Sequence, residues 1–60
     1  MKNNIIPTEM YLTHIREALT KYDIHTVDIA NKMALESKRI SLDSYRLAAR
    51  ILVDTRLAQI

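Results

Sequence analysis

The apolar positions of this chain fall into three stretches with helical spacing, separated by two short polar ones. Between Pro7 and Tyr22 they recur at Tyr11/Leu12, Ile15, Ala18/Leu19 and Tyr22, three or four residues apart, which gives a helix one apolar face. Pro7-Thr8 marks the start. Thr8 is placed to cap, and Glu9 meets the positive end of the helix dipole. Glu17 and Lys21 are spaced as an i,i+4 pair on the polar side. Asp23 to Thr26 reads as a turn, with Thr26 as the cap of a second helix. Its apolar positions are Val27, Ile29, Ala30, Met33 and Ala34, and it runs to about Glu36. After the polar run Glu36-Ser37-Lys38-Arg39, Ser41 is the next cap. Ile40 and Tyr45 stand at the positions of a hydrophobic staple, and Asp43 lies in the first turn.

The third stretch, SLDSYRLAARILVDTRLAQI from Ser41 to Ile60, is the one the others are expected to gather round. It is rich in strong helix formers and has no Gly or Pro. Its charges Asp43, Arg46, Arg50 and Asp54 share one stripe, and apolar residues occupy two ridges: Tyr45, Ala49, Leu52 and Val53, then Leu47, Ile51 and Ala58, with Ala48 between. A helix at the surface of a domain needs only one apolar stripe. Two ridges predict a central helix, or one shared between two copies. The expected fold is all-α, a three-helix unit in one domain spanning 1–60, dimerising into a helical bundle. Leu47, Ile51, Leu52 and Leu57 are the expected interface residues.

Composition narrows this further. A domain of 60 residues buries only about 60% of its unfolded surface, so it is marginal without help from disulfides, a metal, good helix packing or self-association. Without Cys, disulfides and thiolate zinc sites are excluded. Without Gly, phosphate loops and dinucleotide fingerprints are excluded, and the helices must end without glycine at the left-handed cap. The formal charge of +2 permits nucleic-acid binding without announcing it. MKNNIIPTEM lacks the apolar run of a signal peptide, and no window has the apolar length of a membrane span, so a cytoplasmic protein without membrane contact is expected.

The segment TVDIANKMALESKRIS, Thr26 to Ser41, resembles the helix-turn-helix of bacterial repressors. Ala30 matches the small residue of the first helix and Ala34 the residue that opens the turn. Leu35 matches the aliphatic residue after it, and Ile40 the anchor of the recognition helix. The resemblance implies that Ser37, Lys38 and Arg39 face DNA, with Arg46 extending the basic side; such side chains suit phosphate and guanine contacts. It covers about a quarter of the chain and departs from the pattern at Ala34, Glu36 and Asp43. The plain alternative makes Ala30, Met33 and Ala34 a core stripe and Lys38-Arg39 a solvated loop, with Asp43–Arg46 and Arg50–Asp54 as local ion pairs. Pro7-Thr8-Glu9-Met10 also resembles the first helix start of ribbon-helix-helix repressors. There the preceding strand would bury Ile6, Asn4 and Lys2, and two polar residues of three argue against it.

The remaining chemistry is thin. His14 and His25 are eleven apart with no further ligand at metal spacing, and Ser37, Ser41 and Ser44 carry no nucleophile motif. Neither a metal, a cofactor nor catalysis is expected. Tyr11, Tyr22 and Tyr45, the only aromatics, fall on apolar faces and are expected in a core or an interface. Two functions follow. One is a homodimeric DNA-binding regulator of transcription working through Ser37, Lys38, Arg39 and Arg46. The other is a small interaction module, such as an inhibitor or anti-factor, that binds a larger protein through an apolar helix face.

Overall fold

The computed structural model of the chain describes residues 4–59. It consists of α1 (Thr8–Ala18), α2 (Ile24–Glu36) and α3 (Leu42–Ala58), joined by short turns. The all-α, three-helix expectation holds. Lys2 and Ile60 lie outside the described residues.

Each helix starts for a local reason, and two of the reasons differ from the expected ones. Pro7 precedes α1 in an extended conformation, with φ −57° and ψ 142°, and its carbonyl accepts the Tyr11 N–H. Thr8 does not cap. It is already helical, and its hydroxyl bonds Ser44 Oγ of α3 at 2.7 Å. The regular part of α1 stops at Ala18, four residues short of the apolar pattern. Thr20 Oγ1 donates to the Glu17 carbonyl at 2.6 Å and turns the chain over Leu19–Tyr22. The cap of α2 is Asp23, not Thr26: its carboxylate accepts the Thr26 N–H at 2.9 Å, so Thr26 is the residue served. Ser41 caps α3 as expected, accepting the Ser44 N–H at 3.1 Å.

The α2–α3 turn shows how a chain without glycine reverses. The Arg39 N–H reaches back to the Ala34 carbonyl and the Lys38 N–H to that of Leu35, the paired bonds of a Schellman ending. This closure needs a left-handed residue, and Lys38 takes it at φ 60°. For a residue with a Cβ that conformation costs about 1–2 kcal/mol. The Arg39 carbonyl then accepts the Ile6 N–H at 2.8 Å, pinning the segment before α1 onto this turn.

α1 and α2 both pack on α3 and touch each other little, so the C-terminal helix is central as expected, although Leu47, Val53 and Ala58 of its two ridges are exposed. Its buried stripe is Ser44, Ala48 and Leu52. With Tyr11, Ile15, Val27 and Ile40, the last two of these form the core, and half-buried Leu12, Leu19, Tyr45 and Ile51 pack round it. Ala48 is fully buried, which lets the other two helices approach α3 closely.

Two polar residues are also fully buried, Asn31 and Ser44. Asn31 Oδ1 accepts the Tyr11 hydroxyl at 2.5 Å, and Asn31 Nδ2 donates to the Tyr45 carbonyl at 3.4 Å, so one side chain ties α1, α2 and α3 together. Ser44 joins Thr8 and the cap residue Ser41. Among the described residues no buried side-chain polar atom lacks a partner. That matters because a buried, unpaired polar group costs about 1–3 kcal/mol.

Candidate functional site

The residues expected to read DNA belong to two elements, Ser37, Lys38 and Arg39 to the α2–α3 turn and Arg46 to α3. Ser37 ends α2, and its hydroxyl donates to the Met33 carbonyl at 2.8 Å. Lys38 holds the left-handed position. Arg39 lies along a recess bordered by Ala30, Met33, Ala34 and Ser37 of α2. Arg46 stands two residues before the buried Ala48, about 200° round α3, and so projects from the opposite side of that helix. The turn also falls later than the helix-turn-helix resemblance implies. Ala34 is inside α2 and Ile40 precedes α3, so Ser37, Lys38 and Arg39 form the turn itself rather than a recognition helix. Arg50 pairs with Asp54 at 3.3 Å as expected, whereas Asp43–Arg46 and Glu17–Lys21 are not among the ion pairs of the described residues. The pair that crosses between helices, Asp28 with Arg56 at 4.0 Å, is one that spacing along the chain could not suggest.

The four expected interface residues on α3 divide likewise. Leu52 is 2% exposed and belongs to the core, so it cannot be at a surface. Ile51 is half-buried beside it. Leu47 and Leu57 are exposed, but ten residues separate them, about 80° round the helix, and the Arg50–Asp54 pair lies between. They do not make a seam.

Another unpartnered apolar surface lies between α1 and α2. Because α1 and α2 lean on α3 rather than on each other, a groove opens between them on the side away from α3. Its recess measures about 250 Å³. Tyr11, Ile15 and Val27, the outer surface of the core, make the floor; Ala18, Ala30 and Ala34 keep it wide, and His14 and Tyr22 stand at its edges. The second recess, with Met33 and Arg39, continues it toward the α2–α3 turn. No carboxylate lines either part.

Along the outer side of α2, Tyr22, Ile29 and Met33 stand 60%, 44% and 61% exposed. Thr26, Ala30 and Ser37 lie on the same side, so the whole strip is free of charge. The charges of α2 occupy the other flank, where Asp28 pairs with Lys32 at 3.7 Å. Tyr22 is thus not a core residue, whereas Tyr11 is buried and Tyr45 half-buried. The sequence did contain a signal for this surface. Val27, Ile29, Ala30, Met33 and Ala34 cover a wider arc than packing on one neighbour requires.

Ser44 is fully buried, and His14 and His25 are exposed on different helices. Among the described residues no three His, Cys, Asp or Glu side chains gather as metal ligands, and no helix is long and apolar enough to cross a membrane. Compared with family models, with curated proteins and with solved structures, the chain matches none.

Proposed function

We propose that this chain is a small helical protein-interaction module whose working surface is the groove between α1 and α2, made to receive an apolar helix. The observation that carries this reading is the groove itself: an open recess floored by core side chains, lined by alanines and edged by exposed Tyr22 and Met33. An amphipathic helix laid in such a groove reads out as anchors at i, i+3, i+4 and i+7. Titrating the isotope-labelled chain with a synthetic amphipathic peptide bearing Leu at those positions tests it by NMR. Expected are shifts concentrated at Ala18, Ala30 and Ala34, abolished by Ala30→Glu, which charges the groove without touching the core. Shifts elsewhere, or none, overturn it.

A second reading keeps the DNA-binding regulator, acting as a homodimer in the cytoplasm. What favours it is that Lys38, Arg39 and Arg46 are exposed and absent from the ion pairs of the described residues. It stands second because Lys38 and Arg39 lie in a turn rather than on a recognition helix and Asp43 brings a negative charge to the first turn of α3. Fluorescence anisotropy with a random duplex separates the two. Binding at about 10⁻⁴ to 10⁻⁶ M that falls steeply with salt and is lost in the Lys38→Ala, Arg39→Ala double variant supports it. Absence of binding at low salt removes it. Neither reading calls for catalysis or a cofactor.

A further inference from the structure

We infer that the helix seated in the α1–α2 groove is α2 of a second copy of this chain, the two copies being related by a two-fold axis that crosses near the middle of α2. The inference rests on the groove reading of the preceding section and names its occupant.

The first reason is charge. An isologous contact brings every group on the surface against the same surface of the partner, so any net charge along it meets its like. The outer strip of α2, from Tyr22 through Thr26, Ile29, Ala30 and Met33 to Ser37, has none, and the charged side chain that lines the second recess, Arg39, lies at the α2–α3 turn, away from the axis. By contrast, α3 sets the Arg50–Asp54 pair between its exposed leucines.

The second reason is shape. A self-complementary surface must carry its own knobs and its own holes. Here the exposed side chains of Tyr22, Ile29 and Met33 stand directly beside the recess lined by Ala18, Ala30 and Ala34. Two antiparallel α2 helices crossing near residues 27–28 place Met33 of one copy against Tyr22 of the other, twice. Thioether and aromatic ring attract one another, and Met adapts to an irregular gap. The same arrangement lays the outer strip of each α2 over the partner's groove, and α1 and α2 of both copies become a four-helix layer with the two α3 helices outside it.

The third reason is need. Among the described residues the core contains five large apolar side chains, while nine large ones stand exposed. In a chain of 60 residues without disulfides, association is a remaining source of burial.

Sedimentation equilibrium of the full chain over the micromolar range tests this directly. The expected mass is twice 7.0 kDa. Ile29→Glu places a carboxylate near its copy across the axis, Met33→Glu sets one against Tyr22 of the other copy, and each weakens the dimer by at least about a hundredfold in Kd. Both positions are solvent-facing, so far-UV circular dichroism stays helical. Leu57→Glu on α3 leaves the dimer intact. A dimer that survives both α2 variants, or one that dissolves with Leu57→Glu, overturns the inference. A wild-type monomer overturns it as well, and the peptide titration then separates the two levels. Shifts at the groove alanines leave the groove reading standing with a foreign helix as occupant, and their absence removes both.

Discussion

α2 has two apolar sides with opposite fates. Toward α3 it buries Val27 and Asn31 completely or nearly so, and each polar atom there has a partner on another helix. Away from α3 it presents Ile29 and Met33 to solvent, with Tyr22 just before it, beside a recess that nothing in the chain fills. The two sides are alike in hydrophobicity and differ in polar anchoring. The inner side contains one amide that bonds both neighbouring helices and therefore admits a single packing arrangement. The outer side contains only apolar and small side chains, which suit burial without dictating what is buried against them. A specific fold and an available surface thus coexist on one 13-residue helix.

The contrast can be broken from the inside. Leu52→Ala opens a cavity at the centre of the inner side and is expected to cost about 2–5 kcal/mol in urea unfolding, enough to unfold much of the population. Asn31→Ala strands the Tyr11 hydroxyl and opens a gap where the three helices meet, and should cost about 2–3 kcal/mol. Tyr11→Phe removes only one bond and leaves Asn31 Oδ1 unpaired, for about 1–2 kcal/mol. If Asn31→Ala is no worse than Met33→Ala, the inner side is not held by its amide and the comparison collapses.

Smaller effects sharpen it. Lys38→Gly relieves the left-handed strain of the α2–α3 turn and is expected to stabilise by about 0.5–1 kcal/mol, part of the relief being lost to the freer unfolded chain. On the outer side, Met33→Ala should change stability by no more than about 0.5 kcal/mol when measured at concentrations too low for self-association.

The titration of two groups gives a further check. Hydrogen bonds from Thr26, side chain and then backbone, hold the Asp23 carboxyl below its ordinary range. A depressed folded-state value contributes stability that is present above the unfolded value and is lost as pH falls through the folded one. Asp23→Asn should therefore flatten the acid limb of the stability profile while keeping the cap. Burial pushes the Tyr11 phenol up. A raised value contributes stability that is complete below the unfolded one, near 10, and is lost as pH rises through the folded one, so Tyr11→Phe should flatten the alkaline limb. Urea unfolding followed from pH 2 to pH 11 reads both.

What the sequence determined by itself is local. Three helical periodicities and the Ser41 cap follow from spacing and from hydrogen bonds that span three or four residues, and these interactions do not depend on where the rest of the chain lies. The choice of Asp23 over Thr26 as a cap was still a local matter, but two capping residues three apart both fit the pattern and only geometry chose between them. Tertiary structure decided the rest. It turned Thr8 from a cap into a partner of Ser44, moved Leu52 from interface to core, and buried Asn31, a residue whose polarity alone places it outside. It also opened the groove. Those outcomes depend on which helix leans on which. α1 and α2 each pack on the smooth strip of Ala48 rather than on one another, and that preference is a property of three surfaces together, not of any stretch of sequence read alone.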